Sequence, residues 1–216
     1  MKWPHRHAAA RLAAAWRAGR DLAFFFDFDG TLSPTVDDPV DAALSAIARE
    51  ALRSLVGLER ITVGVISGRA LDDLCDKIDL PGVDLAGTSG LEILCRGERH
   101  VHPASIEHSP SVVVAADQLT ETLADFTGVW FERKPLGITI HTRSVDAASR
   151  TCVHQHVRQK LSTDFPTLRV VETACGVEIT AAIGVTKADA VRELIRSRRI
   201  PRWLPFAAER VTVAGE

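Results

Sequence analysis

The sequence predicts an α/β fold on a parallel sheet, interrupted by a separate α+β module. Three observations carry this expectation. Short apolar runs (Leu22 to Phe28, Ile61 to Ile66, Val83 to Ala86) alternate with helix-length stretches, which is the rhythm of βαβ units. Each run ends in a polar cluster: Asp27-Phe28-Asp29-Gly30-Thr31, Ser67-Gly68-Arg69 and Gly87-Thr88-Ser89-Gly90. In open parallel sheets, ligands bind beyond the carboxyl ends of the strands. The rhythm stops in mid-chain and resumes near Thr186, so residues 1–103 and 183–216 are expected to form one domain and residues 104–182 an insert.

Composition sets the outer bounds. The chain has 216 residues, 46% hydrophobic and 25% charged, with net charge −2 and mean hydropathy +0.05. This is an ordinary soluble globular composition. The charge balance gives no reason to expect nucleic acid or an anionic membrane surface as a partner. No apolar run approaches the roughly 18 to 20 residues needed to span a bilayer. Cys75, Cys95, Cys152 and Cys175 are widely spaced without a C-x-x-C pair, which fits reduced thiols in a cytoplasm better than a zinc site or disulfide framework. The basic, Ala-rich stretch from Met1 to Arg20 lacks the continuous apolar core of a secretory signal and reads as a surface helix.

Taken in order, Leu22 to Phe28 is short, Phe-rich and apolar, the pattern of a strand buried on both faces. Asp41 is placed as the cap of a helix running to Val56, with Ala43, Ile47, Ala51 and Leu55 on its apolar stripe. Ile61 to Ile66 is the second strand, and Ser67-Gly68-Arg69 opens a helix through Ile78. Val83 to Ala86 is the third. Leu91 to Leu94 and Arg99 to Val101 flank Arg96-Gly97 as a hairpin. The insert is expected to hold a helix (Val112 to Phe126), a strand pair (Val129 to Arg133, Gly137 to Thr142), a second helix (Ala147 to Leu161) and a second strand pair (Leu168 to Thr173, Val177 to Thr180). Thr186 then caps a helix to Ser197, and Val211 to Ala214 reads as a last core strand.

The chemistry concentrates at the strand ends. Strand side chains alternate, so Asp27 and Asp29 are expected on one side, where two carboxylates repel unless a cation joins them. A turn role would explain Asp29-Gly30 alone but not the pair behind an apolar strand. Ser67 and the backbone N–H groups after it suit an anion, although a capping Ser before a solvated Arg would look the same. Lys187 stands in the first turn of its helix, where positive charge is disfavoured, so a purely structural design would not place it there.

Asp27-x-Asp29-Gly30-Thr31 after an apolar strand resembles the nucleophile motif of the haloacid dehalogenase superfamily, and Ser67 and Lys187 match its second and third motifs. Several longer segments resemble the trehalose-6-phosphate phosphatase family: Phe26 to Pro34 with Asp37-Asp38-Pro39, Val-Ile-Ser-Gly-Arg ending at Arg69, Ala86-Gly87-x-x-Gly90-Leu91-Glu92, Glu132-x-Lys134 with Gly137 to His141 and Arg143, and Val177-Glu178-Ile179. The resemblance implies a Rossmann-like core with an inserted α+β cap. It also implies Mg²⁺-dependent hydrolysis of trehalose 6-phosphate, in trehalose biosynthesis, through an aspartyl phosphate. In that scheme Asp27 is nucleophile, Asp29 general acid and base, and Lys187 the third catalytic residue. Asp27, Gly30, Thr31, Ser67, Gly68, Arg69 and Lys187 hold the phosphoryl group, and Glu132, Lys134 and Glu178 contact the sugar.

The pattern also departs from that family. Ser89 stands where His is usual, Thr180-Ala181 where Arg-Pro commonly follows Glu-Ile, and Lys187-Ala188 where Lys-Gly is usual. The fourth motif, which supplies a Mg²⁺ carboxylate after a strand such as Val211 to Ala214, does not follow. The core is therefore expected to be truncated at its C-terminus, with Asp27, Asp29 and Glu216 as the metal ligands. Two alternatives stay open: another sugar phosphatase of the superfamily, acting on sucrose phosphate or a mannosyl phosphate, and a catalytically impaired domain that binds sugar phosphate or a trehalose-phosphate synthase.

Overall fold

The computed structural model describes residues 4–36, 38–173 and 176–198. The expected strand Val211 to Ala214, together with Asp37, Cys175 and Glu216, lies outside the described residues. The chain divides into two units, one containing residues up to His100 and from Thr186 onward, the other Val101–Val185.

The first unit is a sheet of five strands in the order β1-β2-β3-β4-β5: β1 (Leu22–Asp27), β2 (Ile61–Ile66), β3 (Val83–Gly87), β4 (Glu92–Cys95) and β5 (Glu98–Val101). β1, β2 and β3 are parallel and β4 is antiparallel to β3. Arg96 and Gly97 both take positive φ between β4 and β5, the two-residue hairpin geometry that matches strand twist. Helices α2 (Ala46–Val56) and α3 (Leu71–Ile78) cover one face, where Leu52, Leu71, Leu74 and Ile78 pack on Val63, Val65 and Leu85. On the other face Ala190, Val191 and Leu194 of α6 (Lys187–Ser197) pack on Ile66, Ala86 and Ile93. The N-terminal helix α1 (Pro4–Arg17) is tied to the start of β2 by Trp16 Nε1, which donates to the Glu59 carbonyl at 3.0 Å.

Three expectations for this unit need correction. Only Leu22 of β1 is buried, and the rest of the strand is half-exposed, because among the described residues β1 pairs on one side alone. Ser45, not Asp41, caps α2: its hydroxyl accepts from Ala48 N–H at 3.2 Å, while Asp41 closes a short 3₁₀ turn from Pro39. The buried stripe is consequently Ala48, Leu52, Leu55 and Val56, and Ile47 is exposed. The helix after β2 starts at Leu71 with Ala70 as its cap residue, so Ser67, Gly68 and Arg69 form a loop rather than a first turn.

The second unit is a four-stranded antiparallel sheet in the order β6-β7-β9-β8, backed by α4 (Pro103–Thr122) and α5 (Ala147–Asp164). Its strands are β6 (Trp130–Lys134), β7 (Gly137–His141), β8 (Leu168–Thr173) and β9 (Gly176–Ala181). Ile138, Ile140, Val177 and Ile179 face Val112, Ala116, Leu119, Val153 and Val157 of the helices. The first helix was expected from Val112 to Phe126 but starts nine residues earlier and ends at Thr122. Pro103 opens it at a position where a missing N–H costs nothing. Pro110 lies within it, and the Ile106 carbonyl that it deprives of an i+4 donor belongs to an exposed residue, where water can take the lost N–H's place.

Candidate active site

Register brings the three strand ends together. Asp27 pairs with Ile66 and Ile66 with Ala86, so Phe28-Asp29, Ser67 and Gly87 emerge side by side. Phe28 is wholly buried beneath this edge, and its carbonyl accepts from the N–H groups of Thr31, Leu32 and Ser33. That turn, with Gly30 at φ +73°, leaves Asp29, Gly30 and Thr31 exposed at the tip.

Lys187 Nζ lies 3.0 Å from Asp27 Oδ2, and Asp27 Oδ1 accepts from Phe28 N–H at 2.9 Å. α6 delivers the lysine because its start is fixed by a reciprocal cap. Thr186 Oγ1 accepts from Asp189 N–H, and the Asp189 carboxylate accepts from the Thr186 N–H and hydroxyl. These bonds, the Thr186 hydroxyl foremost, hold the Asp189 carboxyl below its usual 3.8.

Asp29 has a different cation. Arg69 makes three hydrogen bonds of 2.8 to 3.1 Å to its carboxylate, one to Asp73 Oδ2 at 2.8 Å and one to the Pro39 carbonyl at 2.9 Å. Its guanidinium also stands 5.3 Å from the Phe28 ring centroid. Burial alone would lower the Arg69 pKa, but the bonds to Asp29 and then Asp73 outweigh it and raise it. The two carboxylates expected to share one cation are thus each paired within the protein.

Ser67 is buried, and its hydroxyl accepts from Arg69 N–H at 3.2 Å. The next loop is strapped across it: Thr88 N–H donates to the Arg69 carbonyl at 2.7 Å and Ser89 N–H to the Ser67 carbonyl at 2.9 Å. Buried Glu92 accepts from Thr88 Oγ1 at 2.9 Å and faces the Leu71 N–H at 3.4 Å. The strap and Asp73 were missed in the sequence. The spacing of four between Arg69 and Asp73 on a helix flank was the available signal.

Asp27's carboxylate and the neighbouring backbone carbonyls are hard oxygen donors of the kind Mg²⁺ takes. Among the described residues no cluster of three or more His, Cys, Asp or Glu stands ready for a metal. Cys75, Cys95 and Cys152 carry free thiols.

The second unit brings Glu132, Lys134 and Glu178 onto one face of its sheet. Glu132 pairs with Thr139, and Thr139 with Glu178. Glu132 lies 2.9 Å from His141 Nε2 and 3.8 Å from Lys134 Nζ, and Trp130 stacks on His141 at 3.7 Å. Thr139 was not singled out from the sequence, although the alternation Gly137, Thr139, His141 against Ile138, Ile140 marks it as facing the polar side.

A family model described as trehalose-phosphatase matches residues 25–201. The trehalose-phosphate phosphatase of Mycobacterium tuberculosis is 39% identical over 146 residues, covering 63% of this chain and 37% of that protein. The trehalose 6-phosphate phosphatase of Zea mays is 29% identical over 214 residues, covering 90% of this chain and 58% of that one. The chain therefore spans between about a third and three fifths of these relatives. Its fold is similar to the C-terminal domain of the Candida albicans trehalose-6-phosphate phosphatase, with a TM-score of 0.71 and 24% identity over 82% of this chain and 62% of that one. No helix among the described residues is long and apolar enough to cross a membrane. With 177 consecutive positions matched, through the end of β1, the Ser67 loop and the start of α6, the chain belongs to the trehalose-phosphatase family.

Proposed function

We propose that this chain carries the phosphatase chemistry of its family, hydrolysing trehalose 6-phosphate to trehalose and phosphate. The observation that carries this reading is the Lys187–Asp27 pair at 3.0 Å. It puts a cation and a carboxylate together at the carboxyl end of a parallel strand, on a helix whose dipole disfavours that cation.

In the first step an Asp27 oxygen attacks phosphorus and the bond from phosphorus to the sugar oxygen breaks. The proton for that oxygen comes from the Asp29 carboxyl. In the second step Asp29 takes a proton from water, water oxygen bonds to phosphorus, and the Asp27–phosphorus bond breaks to release phosphate. Lys187 and Ser67, with Gly30, the Thr31 hydroxyl and Gly68, hold the phosphoryl oxygens, the Thr31 N–H being taken by the Phe28 carbonyl. Arg69, whose donors are taken by Asp29, Asp73 and Pro39, positions Asp29 as a carboxylate, the form that takes the proton from water. Asp29 must turn away from the guanidinium to carry the proton it gives the sugar oxygen. Asp27 and the Asp29 backbone would hold Mg²⁺, which when bound neutralises phosphoryl charge. Glu132, Lys134 and Glu178 contact the sugar.

The test is phosphate release from trehalose 6-phosphate by the purified chain, with and without Mg²⁺ and beside sucrose and mannosyl phosphates. Mg²⁺-dependent release favouring the trehalose ester is expected. No release from any of them would overturn the reading for this chain, and preference for another sugar would overturn the substrate.

A further inference from the structure

The polar face of the second unit's sheet is ordered in rows. One row reads Glu132, Thr139, Glu178 across β6, β7 and β9, and the next reads Lys134, Gly137, Thr180, Arg169 across all four strands. Residues directly opposite in antiparallel pairs share a face, and the helices pack on the other one. Among the described residues, two buried atoms on the polar face have no hydrogen-bond partner: Thr139 Oγ1 and Arg169 Nε. Thr139 is only 6% exposed. Arg169 is anchored elsewhere through Nη1, which donates to the Val185 carbonyl at 3.4 Å.

A buried hydroxyl without a partner is destabilising, whereas valine has the same shape and suits a strand at least as well. The sequence nonetheless places a hydroxyl in the middle of a row flanked by two carboxylates. Those flanking groups decide what could satisfy it. Two carboxylates in one row repel an anion, but each accepts hydrogen bonds from the hydroxyls of a neutral sugar ring. A threonine hydroxyl between them can donate to or accept from a third ring oxygen. Arg169 stands directly across from Thr180 and brings a guanidinium N–H into the next row.

We propose that Thr139 and Arg169 are further sugar-contacting residues, completing a hydroxyl-recognition row with Glu132 and Glu178. This rests on the proposed function, because it assumes that the sugar half of the phosphate ester meets this face. Thr139 Oγ1 and Arg169 Nε gain their partners only when the sugar is bound, so they act on affinity and not on the chemistry at Asp27.

The experiment is calorimetric titration of the whole chain with trehalose 6-phosphate and with trehalose, alongside its melting temperature. Thr139→Val is expected to weaken both ligands about fivefold to tenfold, the worth of one hydrogen bond, without lowering the melting temperature. Thr139→Ser should restore affinity, and Arg169→Lys should weaken it by a similar factor. Thr139→Val binding within twofold of the parent would overturn the proposal and leave the phosphatase reading intact. A parent chain that binds neither ligand would overturn both.

Discussion

Lys187 Nζ stands 3.0 Å from Asp27 Oδ2, joining the first turn of α6 to the last residue of β1. A lysine there works against the helix dipole by a few tenths to about 1 kcal/mol, and a partly exposed ion pair returns little more than that. Lys187→Met should therefore change stability by less than about 1 kcal/mol while lowering phosphate release at least about a hundredfold. Asp27→Asn should lower it at least about a thousandfold. Phosphate-release assays beside urea melts check both. A Lys187→Met chain that loses stability but keeps its activity would make the lysine a structural residue.

Arg69 is the reverse case, a residue whose loss should be felt in folding. It is nearly buried and bonds Asp29, Asp73 and the Pro39 carbonyl at once. Both carboxylates remain partly exposed, so water softens the penalty of leaving them unpaired. Arg69→Met should cost about 2 to 3 kcal/mol in a urea melt. Arg69→Lys should recover only part of it, since an ammonium cannot span three acceptors in one plane.

The parts of this molecule legible in the sequence were those with local causes. The β2 run, the Thr186 cap and the polar clusters ending β1, β2 and β3 are each specified by a few adjacent residues. The α2 boundary was not: Asp41 and Ser45 are both good caps, and only the 3₁₀ turn at Pro39–Asp41 separates them. The early start of α4 was hidden because Pro110 reads as a breaker unless its lost hydrogen bond falls on an exposed carbonyl. Asp29's pairing with Arg69, forty residues away, depends on strand register, which no local pattern states.

The α6 cap carries a pH signature. Asp189 is held below its usual 3.8, first by the Thr186 hydroxyl, so its folded-state value is depressed relative to the unfolded chain. Its contribution is present above pH 3.8 and is lost as pH falls through the lower folded value. The melting temperatures of the parent and of Asp189→Ala should therefore differ at pH 6 and converge as the pH falls below 3.8. A gap that persists unchanged at the acid end would show that the carboxylate is not the source.

At the other end of α6, Arg198 donates two bonds of 2.6 and 2.7 Å to Asp84 on β3, which is 1% exposed. Arg198→Met leaves that carboxylate buried without a cation beside it among the described residues, with the Arg96 N–H at 3.2 Å still donating to it. The expected cost is about 3 kcal/mol. The double variant Asp84→Leu with Arg198→Met should recover much of it, because the uncompensated charge is gone.

Gly87 tests whether the strap over the Ser67 loop matters to the site. A Cβ there would fall 2.6 Å from Leu71 N, 2.7 Å from Leu71 Cα and 3.0 Å from the Arg69 carbonyl. All three are backbone atoms that cannot swing aside. Gly87→Ala must push the two loops apart, stretching the Thr88–Arg69 and Ser89–Ser67 bonds that set both loops in place. Stability should fall by about 2 to 4 kcal/mol, and phosphate release should fall with it at temperatures where the variant is still folded, since Ser67 and Arg69 move. Gly97→Ala is the control. It has open space around its Cβ but a φ of +81°, so it should cost about 1 kcal/mol of backbone strain and leave phosphate release unchanged. If both variants lose stability and neither loses activity, the strap is a folding device and the loops tolerate its displacement.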